Sequence, residues 1–356
     1  DADSEGEEGT YYLWDAAEFT AVLAEEAELA GRLFGVTQHG NFEGRNILYM
    51  AQPLETLAAQ TGLLPAELAT RLASWRGKLA TARATRVRPL RDEKIIAGWN
   101  GLMIAALAKG YAVTRNPALR QAAEQAAAFV ATRLTSPIGR LQRSWHAGVS
   151  SGPAFLEDYA FVVWGLVELH QATLEPEFLA TAARLADEML RLFSAAEHDG
   201  LHETGNDAAD LPARGGTAHD GVIPSSNGVA AGCLLRIGLL TGSEQLYQRG
   251  EALVRAFMGR VASQPVGYLS LLSAGLYQPG TRLELTLSGE RDRQLAADLM
   301  AQLGGHYLPT AVVRLSGREA GAAPAVAVCS AGVCHPPVRT GDELGRLLDS
   351  LTPSGF

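Results

Sequence analysis

The chain has 356 residues, of which 47% are hydrophobic and 19% are charged, a composition typical of a folded globular protein. It excludes a disordered chain and a collagen-like repeat, and the net charge of -9 argues against a nucleic acid or an anionic membrane as the main partner. Three cysteines cannot all pair within the chain, which favours a reducing, cytoplasmic compartment over a disulfide framework. No apolar run is long enough to predict a membrane helix.

The chain opens with an acidic run. It begins at Asp1 and reads DADSEGEEG, so we expect an N-terminal part of a longer protein to be missing. A charge run at a terminus is usually solvated. Two helices are predicted next, WDAAEFTAVL capped by Asp15 and PAELATRLASWRGKLATAR beginning at Pro65. We expect the region 11–90 to be an excursion from the fold that follows, not a separate domain.

From Trp99 to about Val261 the sequence repeats a helical hairpin three times. When Thr114, Thr173 and Thr241 are aligned, apolar residues recur five, nine and sixteen positions later. This spacing predicts hairpins that pack against their neighbours in the same way. The recurring residues are Leu119, Phe178 and Leu246, then Ala123, Ala182 and Gly250, then Val130, Met189 and Phe257.

The two helices of each repeat differ in character. The first helices read WNGLMIAALAKGYAVT, FLEDYAFVVWGLVELHQAT and SNGVAAGCLLRIGLL, which are apolar on nearly every side, whereas the second helices have a polar face. A helix that is apolar all round lies inside, and an amphipathic helix faces water. The repeat therefore predicts a mainly α protein with inner and outer helices, part of an α/α toroid. Short β-hairpins are predicted at one rim over 139–148 and 199–205.

The pattern changes after Pro279. The segments LELTLSG, AVVRL and AVAVCSAGVCHPPV resemble strands, and RQLAADLMAQL and GDELGRLLDSL resemble helices. This alternation is typical of a small α/β unit. The predicted organisation is therefore a toroid portion over 1–278, with hairpins over 99–275, and a small C-terminal α/β appendage over 279–356.

The starts of the inner helices carry the candidate functional residues. Because these helices run in the same direction, their N-terminal ends should meet at one rim. An aromatic ring, carboxylates, a phenol and hydroxyl or amide groups brought together there are the set that a sugar site uses. The residues are Trp99, Asn100, Glu157, Asp158, Tyr159, Ser225, Ser226 and Asn227.

The same residues have a purely structural interpretation. Asn100, Ser225 and Asn227 are good N-cap residues. Asp158 could be a first-turn acid that the helix dipole favours, although a carboxylate beside the apolar run AFVVWGLVEL needs a partner or a purpose. On the sequence alone both interpretations stay open.

The histidines form a weaker set of candidates. His146 falls in the predicted rim hairpin, where it could contact a ligand. His198, His202 and Glu203 could be acid-base groups or metal ligands. A four-residue spacing of histidines suits a metal on a helix, but DGLHETG is typical of a turn and a strand, so no metal is predicted.

The C-terminal cysteines and the glycine-rich segments carry little chemistry. Cys329, Cys334 and His335 form a C-x4-C-H pattern that lacks a second ligand pair, so it is a weak zinc or redox motif. We expect both cysteines to be small buried residues. Phosphate loops, nucleophile elbows and dinucleotide fingerprints are missing from the sequence, so no cofactor is predicted.

Several long blocks resemble a known family. DADSEGEEGTYYLW, GNFEGRNIL, RDEKIIAGWNGLMIAALAKGY, FLEDYAFVVWGLVELHQAT, DGVIPSSNGVAAGCLLRIGLLTG and VAVCSAGVCHPPV are similar, in this order, to the thioredoxin-domain-containing proteins related to spermatogenesis-associated protein 20. The resemblance implies a six-hairpin, glycosidase-like α/α toroid after a thioredoxin-like domain. It also implies similarity to carbohydrate-active barrels such as N-acylglucosamine 2-epimerases, but no settled reaction. The matching positions are Asp1, Asp3, Glu5, Trp99, Asn100, Asp158, Tyr159, Ser225 and Asn227.

The leading hypothesis is a carbohydrate-active toroid that binds a neutral sugar or sugar-like ligand, as a glycoside hydrolase or sugar 2-epimerase would. If it is catalytic, Asp158, Glu157 or Asp3 would act as general acid or base, and Trp99 would stack on the sugar ring. The other predicted ligand contacts are Asp1, Glu5, Asn100, His146, Tyr159, Ser225 and Asn227. The competing hypothesis is a non-enzymatic scaffold that presents an upstream thioredoxin-like domain to its clients. An open cavity lined by acids and aromatic rings would favour the first hypothesis.

Overall fold

The structure, a computed structural model, describes residues 3–208, 214–288, 293–316 and 325–351. The chain divides into two compact units, Asp1–Glu93 and Lys94–Phe356. The predicted division into 1–278 and 279–356 stays a prediction, and the excursion predicted over 11–90 falls within the first unit. Within the described ranges, no helix combines the length and the apolar character needed to cross a membrane.

The first unit is mainly helical. Asp15 immediately precedes α1 and Pro65 begins α4, as predicted, although the Asp15 carboxylate pairs with Arg45 at 3.5 Å and makes no capping bond. The core contains the buried rings of Phe19 and Trp75. The elements are β1 (Asp3–Ser4), β2 (Glu7–Glu8), α1 (Ala16–Leu23), α2 (Ala27–Phe34), α3 (Leu54–Thr61) and α4 (Pro65–Ala84).

The second unit contains the three predicted helical hairpins. The inner helix α5 packs on α7, and α7 packs on α9, while α6, α8 and α10 each pack on the inner helix of their own hairpin. A short helix, α11 (Leu269–Gly275), also packs against α9. The order of inner and outer helices confirms the α/α toroid arc. The hairpins are α5 (Ala97–Thr114) with α6 (Pro117–Arg133), α7 (Leu156–Thr173) with α8 (Pro176–Phe193), and α9 (Ser226–Thr241) with α10 (Glu244–Ser263).

The aligned threonines mark the same point of each hairpin. Thr114, Thr173 and Thr241 are the last residues of α5, α7 and α9. Each hydroxyl donates to the carbonyl four residues earlier, at 2.7 Å. The repeat in the sequence is therefore a repeat in the structure.

The inner helices differ in how much of their surface they bury. Helices α7 and α9 are buried on nearly every side, as predicted. Helix α5 buries one face and leaves Trp99 and Met103 59% and 56% exposed on another. The prediction of a fully buried helix is therefore correct for α7 and α9 but wrong for α5, which has an inner-helix neighbour on one side, α7.

One of the two predicted rim hairpins is present. Strands β4 (Gln142–His146) and β5 (Val149–Pro153) are antiparallel, and β3 (Ile95–Ile96) pairs with β4. The turn between β4 and β5 places Ala147 and Gly148 at φ values of 48° and 90°, the left-handed region used by tight hairpin turns.

The hairpin predicted over 199–205 is not formed. Leu201 makes only an isolated bridge to Ser194. The side-chain amide of Asn227 accepts from the Leu201 N–H at 2.9 Å and donates to the Leu201 carbonyl at 3.0 Å. The prediction was wrong, since the backbone N–H and carbonyl of Leu201 are satisfied by a side chain and not by another strand.

The C-terminal elements form the predicted α/β appendage. The sheet has the order β7-β6-β8-β9, in which β7 is parallel to β6 and the other pairs are antiparallel. Helix α12 makes the crossover that a parallel pair requires. The elements are β6 (Leu283–Ser288), α12 (Arg293–Gly305), β7 (Ala311–Leu315), β8 (Ala325–Ser330), β9 (Val333–Cys334) and α13 (Gly341–Leu351).

The C-terminal cysteines form a disulfide. Cys329 and Cys334 are direct partners across β8 and β9. The expectation that both are buried was wrong, since Cys334 lies on the edge strand of the sheet and is exposed. Paired cysteines remove the argument for a reducing compartment, so the cytoplasmic location stays a prediction.

Candidate functional site

Asp158 is fully buried at the start of α7. Its carboxylate accepts hydrogen bonds from the backbone N–H groups of Gly98 and Phe155 at 2.9 Å, and from Arg143 Nη1 at 3.0 Å. Burial raises the pKa of this carboxyl despite the three donors. Since the side chain has no exposed surface, it ties α5, α7 and β4 together here. Its role as a general acid or base stays a prediction.

Two further carboxylates lie near Asp158. Glu157 forms an ion pair with Arg143. Glu203, in the segment between α8 and α9, accepts a hydrogen bond from Ser226 Oγ, which lies 2.7 Å from both carboxylate oxygens. Burial raises the pKa of Glu203, and repulsion from the Glu157 carboxylate adds a smaller effect in the same direction. The structure thus brings Glu203 to the same rim as the predicted residue Glu157.

Tyr159, Asn227 and Ser225 use their polar groups within the protein. The Tyr159 hydroxyl accepts from the Leu141 N–H at 3.0 Å and from Arg140 Nη1 at 2.9 Å. Asn227 holds the Leu201 backbone, and Ser225 Oγ accepts from the N–H of Gly228 as an N-cap. These contacts correspond to the structural interpretation, and the predicted ligand contacts of the three residues stay predictions.

Replacing Tyr159 by Phe should lower the free energy of unfolding by about 1–3 kcal/mol, because the buried N–H of Leu141 loses its acceptor and the buried guanidinium of Arg140 loses one of its acceptors. Chemical denaturation would measure this. Tyr307→Phe is the matched control: Tyr307 is 77% exposed, so its loss should cost less than about 0.5 kcal/mol. Equal effects of the two substitutions would contradict the structural role of Tyr159.

The remaining predicted site residues of the second unit are Trp99, Asn100 and His146. Trp99 is exposed on α5, and Asn100 is half-buried, with its side-chain amide donating to the Ile96 carbonyl at 2.9 Å. His146 is exposed at the end of β4. Their predicted contacts to a ligand stay predictions.

The predicted acids of the opening run fall in the first unit. Asp3 belongs to β1, and Glu5 occupies the following turn at a φ of 56°. Both residues are exposed. Asp1 lies outside the described residues. The predicted roles of these three acids at a ligand stay predictions.

Glu197, His198 and His202 bring ligand atoms within 4.8 Å of one another, which is close enough to consider a metal ion. Glu197 Oε1 lies 3.2 Å from His202 Nε2 and 3.9 Å from His198 Nε2. However, the Gly200 N–H donates to His198 Nδ1 at 3.0 Å, which places the proton of the neutral ring on Nε2, the nitrogen near Glu197. Metal binding through that nitrogen would cost the bond to Gly200, so we assign no metal to the cluster.

A cavity of about 240 Å³ lies among the inner helices of the second unit. It combines the ring of Trp164 with hydroxyl groups and charged side chains, a mixture typical of ligand pockets. None of the predicted site residues within the described ranges lines it. The lining residues are Lys109, Trp164, Glu168, Pro224, Gly228, Val229, Gly232, Cys233, Arg236, Ser270, Ser273, Ala274 and Tyr277.

Three charged side chains meet at this cavity, one from each inner helix. Glu168 Oε1 lies 2.6 Å from Arg236 Nη1 and 3.1 Å from Lys109 Nζ, and it accepts from Trp164 Nε1 at 2.8 Å. Burial alone would raise the pKa of Glu168, but Arg236 and Lys109 lower it to about 2. The carboxylate is therefore ionised at neutral pH.

The positions of these three charges in the sequence repeat could have predicted the cluster, although they were not among the predicted site residues. Lys109, Glu168 and Arg236 each stand five residues before the aligned threonine of their repeat. A charge within the apolar stretch of an inner helix is costly to bury without a partner. Because the three positions are equivalent in the repeat, they lie at the same height along three neighbouring helices, where the side chains can meet.

Comparisons with known proteins give relatives over most of the chain, although no family model matches it. Human spermatogenesis-associated protein 20 is 32% identical over 352 residues, which cover 89% of this chain and 45% of the relative. The mouse protein of the same name is 31% identical over the same shares. An uncharacterized protein of Caenorhabditis elegans is 24% identical and covers 97% of this chain and 52% of the relative. The chain thus spans about half the length of the curated relatives it matches.

Solved structures show partial similarity. Cellobiose 2-epimerase from Bacillus thermoamylovorans matches with a TM-score of 0.40 and 19% identity, covering 49% of this chain and 47% of that one. A GH76 α-mannanase from Bacteroides thetaiotaomicron matches with a TM-score of 0.44 and 14% identity, covering 54% of each chain.

Proposed function

We propose that this chain, a homologue of spermatogenesis-associated protein 20 over 89% of its length, binds a sugar or sugar-like ligand in the cavity among α5, α7, α9 and α11. The observation that carries the proposal is the meeting of an aromatic ring, hydroxyl groups and an ionised cluster at one cavity. These groups come from four separate helices. Three of the helices are joined by ion pairs, because Lys109 of α5 and Arg236 of α9 both pair with Glu168 of α7.

Each group has a part in binding a hydroxylated ring. The indole of Trp164 donates its N–H to Glu168, so its apolar face is the part offered to the C–H face of a sugar. Ser270 and Ser273 of α11 add hydroxyl groups to the lining of the cavity. Glu168 and Lys109 add charged hydrogen-bonding groups, which bind more strongly than neutral ones. The volume of the cavity suits one sugar ring more than a chain of rings.

The carboxylates predicted to be catalytic have no part in the proposed binding. Asp158 is buried and Asp3 lies in the first unit, so neither carries the proposal. Glu157 and Glu203 are the carboxylates near the start of α7 that retain exposed surface. Catalysis, and the upstream thioredoxin-like domain, stay predictions.

Calorimetric titration of the intact protein with a panel of neutral and acidic monosaccharides tests the proposal. Replacing Trp164 by Ala should weaken binding at least about tenfold, a loss of about 1.4 kcal/mol. Trp164→Phe, which keeps an aromatic face, should retain part of the affinity, and its melting temperature shows whether the fold is intact.

The comparison variant is Trp99→Ala, since Trp99 is the ring predicted from the sequence and does not line the cavity. Loss of binding in Trp99→Ala with full binding in Trp164→Ala would move the site to the predicted rim. A failure of every sugar to bind would contradict the proposal and favour the scaffold hypothesis.

A further inference from the structure

The charges around the inner-helix cavity are unbalanced. Of the described residues that line it, Lys109 and Arg236 are cationic, and Glu168 is the only acid. This local excess of positive charge occurs in a chain whose formal net charge is -9. An ionised Glu168 neutralises one of the two cations, so the cavity retains about one positive charge that water or a ligand must compensate.

The hydrogen bonds show the same imbalance. One oxygen of Glu168, Oε1, accepts from Trp164, Arg236 and Lys109 together. Arg236 is 5% exposed, and its Nε has no hydrogen-bond partner within the described part of the chain. A buried N–H of a charged group that lacks an acceptor destabilises the protein. The cluster therefore has more donors than acceptors.

The two cations can be approached from a second side. A neighbouring cavity of about 480 Å³, towards β7 and α12, is also lined by Lys109, Glu168, Arg236 and Tyr277. His306 lines this cavity, and its bond to the Gln302 carbonyl, with the Asp349 carboxylate, raises its pKa. Lys109 is 58% exposed, so its ammonium group can turn towards a ligand in either cavity.

We propose that the sugar-like ligand carries an acidic group, a carboxylate or a phosphate on the hydroxylated ring, and that Lys109 and Arg236 bind this group. The inference rests on the proposed function and names its ligand class. It differs from the sequence-based expectation of a neutral ligand, which rested on carboxylates at the rim. The rim acids do not line the inner-helix cavity, whereas both cations do.

Titration of the intact protein at low salt with glucose, glucuronate, glucose 6-phosphate and inorganic phosphate tests the inference. At least one anionic sugar should bind about tenfold or more tightly than glucose, and the tighter of the two identifies the acidic group. Lys109→Met should reduce this preference to about the level of glucose. The matched control is Lys78→Met, because Lys78 is exposed on α4 and does not line the cavity, and it should leave the preference unchanged.

The outcomes separate this inference from the proposed function. Equal affinity for glucose and both anionic sugars, or a preference that survives in Lys109→Met, would overturn the acidic ligand and leave sugar binding intact. If inorganic phosphate bound as tightly as glucose 6-phosphate and glucose did not bind, the result would support the anion site and contradict sugar recognition. Binding of none of the four probes would overturn both.

Discussion

Replacing Glu168 by Gln is expected to lower the free energy of unfolding by about 3–5 kcal/mol. The substitution keeps the shape of the side chain but leaves the buried guanidinium of Arg236 without an opposing charge, at a position where the Nη1 to Oε1 distance is 2.6 Å. An arginine cannot escape this cost by losing its proton. Denaturation with urea at neutral pH would measure the change.

The control for Glu168→Gln is the double variant Glu168→Gln with Arg236→Met. It removes the buried cation as well, and the amide oxygen of the introduced glutamine can still accept from Trp164 and Lys109, so the double variant should be more stable than Glu168→Gln alone. Additive losses would show that the two charges are not coupled. The wild type should also lose stability as the pH falls from about 4.5 towards 2, because the folded pKa of Glu168 is about 2 and lies below its ordinary value.

Replacing Gly101 by Ala is expected to destabilise the second unit by about 3 kcal/mol, in the upper part of the range for overpacking. Gly101 lies where α5 crosses α7, and a Cβ there would collide with backbone atoms of Phe161 and Val162. A backbone cannot turn away as a side chain can, so the two inner helices would have to separate. Thermal or urea denaturation would measure the loss.

Gly259→Ala is the matched control, since it makes the same substitution inside a helix. Gly259 lies in α10, and apart from its chain neighbours and the backbone of its own helix, no atom of the described residues would lie within 4 Å of a Cβ there. Alanine has the higher helix propensity, so this variant should gain about 0.5–1 kcal/mol. If Gly101→Ala gained stability in the same way, the close contact between α5 and α7 would be wrong.

The repeat allowed much of the helical fold to be predicted from the sequence. Thr114, Thr173 and Thr241 align in sequence and end their helices in the structure. The inner or outer position of each helix follows from its apolar periodicity, whereas the exposed face of α5 also reflects which helices pack beside it. The family resemblance is confirmed by the relatives, and the C-terminal α/β elements fall where the alternating segments predicted them.

Long-range contacts explain most of what the sequence did not predict. The hairpin over 199–205 is replaced by bonds to Asn227, which is distant in the sequence and was assigned to a cap or a ligand contact. Asp158 is occupied by donors from α5 and β4. Apolar periodicity does not encode such partners. The cluster at the cavity differs, because Lys109, Glu168 and Arg236 occupy the same position of the repeat, five residues before the aligned threonine, and this was present in the sequence.

The most direct test of sugar binding among the inner helices is a crystal structure of the intact protein with the sugar that most raises its melting temperature. We expect the ring to lie against Trp164, with its polar groups within hydrogen-bond distance of Lys109 or Ser273. A ring bound instead among Trp99, Glu157 and Glu203, with the inner-helix cavity empty, would contradict the account.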